Sequence, residues 1–107
     1  MTKIKQSNPM YMVRTSVEDK ERALFISKAL VNSHAAVSVH INEVISTFEW
    51  KGSIDIMNEY EMTILCTDPE KVKKIISTYH TYELPEFIYV KLESSKEINK
   101  WCNDWCK

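Results

Sequence analysis

The sequence predicts an α+β domain whose elements run βαββαβ and close with a short C-terminal helix. Three observations carry that prediction. Two long central stretches alternate apolar and polar residues with the period of a half-buried strand. Apolar residues elsewhere recur at i, i+3 and i+4 behind capping residues, as amphipathic helices require. The only glycine, Gly52, falls between the two alternating stretches, where a hairpin has to turn.

Residues 10–15 read as a short first strand. Ser16 is placed to cap a helix over 17–32, with Asp19 returning the bond three residues on and Ala23, Ile26, Ala29 and Leu30 forming its buried face. From Ala35 the period becomes two: Val37, Val39 and Ile41 alternate with Ser38, His40 and Asn42. The phase then slips to Val44, Phe48 and Trp50, which predicts a bulge near Asn42 and Glu43. After the Lys51-Gly52 turn, Ile54, Ile56, Tyr60, Met62, Ile64 and Cys66 share one parity and mark the third strand.

Asp68 and Pro69 are a cap and first-turn pair for a second helix over 69–79, with Val72, Ile75, Ile76 and Tyr79 on one face. A fourth strand, residues 87–92, follows the break at Pro85, with Ile88, Val90 and Leu92 on one side. Ser94 and Glu97 have capping-box spacing ahead of Ile98, Trp101, Cys102 and Trp105, an apolar stripe for the final helix. This order is the split βαβ arrangement of ferredoxin-like folds.

A chain of 107 residues predicts one domain, residues 1–107, with 1–8 as a flexible tail. One glycine excludes a glycine-rich phosphate loop, and a formal charge of −1 argues against nucleic acid as a partner. Lys3 and Lys5 are the only hint of a basic tail and read as solvated. No apolar run approaches the roughly 20 residues of a membrane span, so a membrane role is not expected and the cytoplasm is the default. Three cysteines fit a reducing compartment.

The two middle strands, about 15 residues each at roughly 3.3 Å per residue, make a hairpin near 50 Å long. A globule of this size is about 35 Å across, so the hairpin must overhang or bend. An overhanging apolar ribbon needs a partner, and a second copy of the chain is the economical one.

Two segments carry a family resemblance. Ala35-Ala36 and the run Phe48-Glu49-Trp50-Lys51-Gly52-Ser53-Ile54 are similar to the paired alanines and aromatic Trp-x-Gly-x-Ile run of the CutA divalent-cation-tolerance family. His80-Thr81-Tyr82-Glu83-Leu84-Pro85-Glu86 resembles that family's His-x-Tyr-Glu-x-Pro-Glu signature. The resemblance implies a ferredoxin-like subunit, a homotrimer joined through long hairpins, and a non-enzymatic role in tolerance of copper and other divalent cations. It also implies an inter-subunit cleft lined by Trp50, Lys51, Tyr82 and Pro85. The chain departs from the family at Val37, where a cysteine is common, at Cys66 in place of a lysine, and at Asn42-Glu43 in place of Pro-Gly. A thiolate copper ligand at position 37 is thereby excluded.

His80, Glu83 and Glu86 are the candidate metal ligands, because imidazole and carboxylates suit copper and zinc; capping, turn shaping and ion pairing are the structural alternatives. No cofactor is obligatory, and copper is the foremost divalent cation. Cys102 and Cys106, four apart, could share a helix face and bridge a soft ion, although the apolar stripe and the chain end favour packing and fraying. Cys66 reads as a core residue, and His34 and His40 lack ligand partners. Competing functions are a scaffold built like the trimeric PII regulators that takes a small anion or a protein, an acylphosphatase, and an RNA-recognition module. The last two lack their glycine-bearing loop and aromatic strand motif.

Overall fold

A computed structural model describes residues 8–107. The elements are β1 (Met10–Val17), α1 (Lys20–Asn32), β2 (Ser38–Trp50), β3 (Ser53–Cys66), α2 (Pro69–Tyr79), β4 (Ile88–Leu92) and α3 (Lys96–Trp105). The strands form one antiparallel sheet in the order β2-β3-β1-β4. The expected tail lies outside the described residues except for Asn8, whose backbone N–H and carbonyl both bond the Asn103 side chain.

One face of the sheet is covered by α1 and α2. Val13 and Val17 of β1, Met62, Ile64 and Cys66 of β3, Ala23, Ile26 and Leu30 of α1, and Val72 and Ile76 of α2 close a core with almost no exposure. Thr15 stands in the same row of β1, fully buried, and its hydroxyl has no partner among the described residues. Removing an unsatisfied hydroxyl at constant shape recovers its desolvation cost. Thr15→Val is therefore expected to raise stability by about 1 kcal/mol in chemical denaturation.

Three boundaries differ from the sequence expectation, each for a tertiary reason. β1 runs on to Val17 because the ladder with β3 continues to the pair Val17↔Tyr60 and buries Val17 completely. Ser16 is thus a strand residue, and Asp19 caps α1 by accepting from the Arg22 N–H at 2.7 Å. At α3 the cap is Ser95, which accepts from the Ile98 N–H, while the Ser94 hydroxyl bonds the Met10 sulfur. β4 begins at Ile88 rather than Phe87, because its pairing with β1 starts at Arg14↔Ile88.

The predicted bulge is absent: β2 and β3 pair without interruption from Ser38↔Leu65 to Trp50↔Ser53. The apolar phase slips for another reason. Val39 and Ile41 face the core, but beyond Glu43 the ribbon leaves it, and Val44, Phe48 and Trp50 lie on the opposite face. The turn is a two-residue loop with Lys51 at φ 50° and Gly52 at φ 85°, the paired positive values of a type I′ hairpin. Overhang gives the chain extents of 61 × 23 × 20 Å.

Beyond the core the ribbon leaves Ile45, Ile54 and Ile56 between 69% and 79% exposed. The sheet face away from α1 and α2 adds Met12, Ile88 and Val90, which share one parity across β1 and β4 and are also exposed. The expected apolar stripe of α3 is only partly covered: Cys102 is buried, whereas Ile98, Trp101 and Trp105 keep 37% to 49% exposure.

Candidate functional site

Residues 80–87, between α2 and β4, carry most of the sequence-predicted site residues. The segment is anchored to the end of α2, where the His80 N–H bonds the Ile76 carbonyl and the Arg22 guanidinium donates to the Tyr79 carbonyl at 2.6 Å. A cation on the last carbonyls complements the helix dipole.

The His80 ring is held at both nitrogens. Nε2 lies 2.7 Å from the Ser16 carbonyl, which can only accept, so Nε2 carries the hydrogen. Nδ1 is left to accept the Tyr82 N–H at 3.1 Å. Burial lowers the His80 pKa, and the Arg22 charge acts in the same direction against the Ser16 bond and the charges of Glu59 and Glu18. The unfolded chain therefore binds more protons than the folded one as pH falls below about 6.5, and stability declines there until the folded imidazole itself titrates. The unfolding midpoint is expected to drop between pH 7 and about 5.5, with a shallower slope in His80→Gln.

Tyr82 stacks edge-on against His80, with centroids 4.8 Å apart, and its hydroxyl donates to Glu59 Oε2 at 2.7 Å. Glu59, on β3, is only 6% exposed. Burial and the adjoining carboxylate push the Tyr82 phenol well above its usual range. Glu83 reaches the hairpin turn, its carboxylate 3.6 Å from Lys51 Nζ, which in turn lies 5.5 Å over the Trp50 ring. Glu86 pairs with Arg14 Nε at 3.1 Å on the surface, and Pro85 is half-buried between these two ion pairs in sequence.

Tyr82, Glu83, Lys51 and Trp50 are thus linked along the ribbon, whereas His80, Glu83 and Glu86 each turn to a different partner. Among the described residues no three His, Cys, Asp or Glu side chains stand close enough to share a metal ion. Sequence reasoning did not reach Glu59, Ser16, Arg14 or Arg22 as the partners of this segment. Glu59 lies on the polar parity of its strand, and nothing local marks it as buried. A separate cleft of about 280 Å³ at the base of the ribbon is lined by Lys20, Leu24, Ile41, Glu43 and Tyr60, and contains none of the predicted site residues.

The sequence model of the CutA1 divalent ion tolerance proteins matches residues 11–105. The chain belongs to the CutA1 family. A comparison with curated protein sequences finds no match. Solved CutA1 structures share the fold. CutA1 from the psychrotrophic bacterium Shewanella sp. SIB1 is 28% identical with a TM-score of 0.87, over 94% of this chain and 98% of that one. The divalent cation tolerance protein of Thermus thermophilus is 25% identical at the same TM-score, over 92% and 99% of the two chains. A periplasmic divalent cation tolerance protein of Archaeoglobus fulgidus superposes with a TM-score of 0.85 at 23% identity, over 89% of this chain and 96% of that one.

The C-terminal end of this CutA1 chain departs from the frayed terminus expected. Cys106 is 8% exposed, caps α3 through its N–H to the Cys102 carbonyl, and packs with Met10, Val37 and Cys102 against Leu65 and Leu92. His34 fastens this end to α1. Its Nδ1 donates to the Trp105 carbonyl at 2.8 Å, its ring stacks on Trp105, and the Trp105 indole donates to the Val31 carbonyl. Among the described residues no helix is long and apolar enough to cross a membrane.

Proposed function

We propose that this CutA1-family chain acts as a cytoplasmic, non-enzymatic homotrimer that takes up divalent cations, copper foremost, at the clefts between subunits. The observation that carries this reading is the ribbon: a hairpin of 13- and 14-residue strands with isoleucines exposed along it, too apolar to stand in water alone. The open sheet face with Met12, Ile88 and Val90 supplies a second apolar surface for neighbouring copies. In this reading Trp50, Lys51, Tyr82 and Pro85 border the cleft. Glu83 and Glu86 are the exposed carboxylates offered to the ion, each held by one cation in a weak surface pair that a divalent ion can replace. His80, with both nitrogens engaged, holds the segment rather than the ion.

The test is titration of the metal-stripped protein with Cu(II) and Zn(II), on material whose mass is fixed by light scattering. Saturable binding to a three-chain particle, weakened about tenfold or more by Glu83→Ala with Glu86→Ala, is the expected result. An intact trimer that binds neither ion overturns the cation reading. A single-chain particle overturns the assembly.

A further inference from the structure

We propose that Cys102 and Cys106 form a second, separate metal site that binds one monovalent copper ion between their two sulfurs. The two Sγ atoms are 4.0 Å apart. Two metal–sulfur bonds of about 2.3 Å each span that gap with a bent geometry, while a disulfide of about 2.05 Å would need the sulfurs drawn together by nearly half the distance. Both thiols face one another across the last turn of α3, where the Cys106 N–H bond to the Cys102 carbonyl fixes the pair.

The surroundings select the ion. Met10, Val37, Leu65 and Leu92 make an apolar wall, and the Met10 thioether adds a further soft group to that wall. With no third His, Cys, Asp or Glu in reach among the described residues, the site offers too few donors for a four-coordinate zinc ion or a tetragonal cupric ion. Monovalent copper prefers thiolate and thioether sulfur and accepts low coordination.

The two sulfurs are in contact, and Thr67 and the Lys71 ammonium lie beside Cys106. Cuprous ion would displace the thiol protons of both cysteines, which pass to solvent, and no electron moves. The resulting dithiolate complex carries one negative charge, and Lys71, tethered by Nζ to the carbonyls of Ser33 and Lys107, is the cation beside it. Cys66, on the core side, is fully buried among apolar side chains.

The reduced protein should be titrated anaerobically with cuprous ion held by bicinchoninate. The expected result is transfer of one ion per chain, a thiolate-to-copper absorption band in the ultraviolet, and X-ray absorption showing sulfur donors only. Cys102→Ser and Cys106→Ser are each expected to weaken binding at least about a hundredfold, whereas Glu83→Ala with Glu86→Ala leaves it unchanged. Nitrogen or oxygen donors around copper in the unaltered protein overturn the assignment, a result that does not depend on any variant folding. No transfer from the chelator, or full binding by a folded Cys102→Ser, Cys106→Ser double variant, overturns it equally.

Discussion

Replacing Ile54 and Ile56 together by aspartate is expected to give a folded chain that no longer assembles. Both side chains stand on the ribbon beyond the core, 79% and 69% exposed in the single chain, so their loss removes nothing from the packing around Ile64 and Leu30. Full burial of an isoleucine contributes about 1.5–3 kcal/mol, and a three-chain particle that buries both positions gains this six times over. Aspartate turns each gain into the cost of desolvating a charge. Light scattering should report one chain of 12.6 kDa in place of the proposed trimer, with the far-ultraviolet circular dichroism of each chain retained. A particle of unchanged mass would remove the ribbon from the assembly.

Tyr82→Phe is the second large effect expected, and it lies in the segment after α2. The hydroxyl donates at 2.7 Å to a carboxylate that is 6% exposed, and the variant leaves that carboxylate buried without the donor. A hydrogen bond to a charged group contributes about 1.5–3 kcal/mol, and the loss falls in that range because water reaches Glu59 poorly. For a chain of this size the thermal midpoint should fall by roughly 10 °C, measured at one protein concentration. Adding Glu59→Leu to Tyr82→Phe is expected to restore part of the loss, since replacing both partners leaves no orphaned charge. A single variant as stable as the parent would show that water reaches Glu59.

The ribbon and Tyr82 also show where local pattern stops being informative. Asp68-Pro69 and the i, i+3, i+4 spacing of Val72, Ile75 and Ile76 placed α2 at its observed limits, because cap and propensity act within a few residues. Gly52 marked the turn for the same reason. The phase slip after Ile41 was visible but misleading: a bulge and a change of buried face produce the same alternation, and only the uninterrupted ladder to β3 distinguishes them. Likewise, both Ser16 and Asp19 can cap a helix, and the pairing Val17↔Tyr60 across the sheet decided between them.

The candidate site divides in the same way. His80, Tyr82, Glu83 and Glu86 were legible as a motif with chemistry-bearing side chains. Their partners were not, since Ser16 is 64 residues away from His80, Glu59 is 23 from Tyr82, and Arg14 is 72 from Glu86. At the C-terminus, the spacing of Cys102 and Cys106 was plain, but the last residues of a chain read as frayed until His34, Lys71 and Met10 close around them.

By itself the sequence determined the order of elements, the hairpin turn, the helix α2 and the family signature, all of which follow from short-range backbone preference and the period of apolar residues. Tertiary structure alone decided where the ribbon leaves the core, which carboxylate is buried and which sulfurs meet. Those outcomes depend on contacts between residues far apart in the chain, and a linear pattern carries no record of what a side chain will face once the sheet has formed.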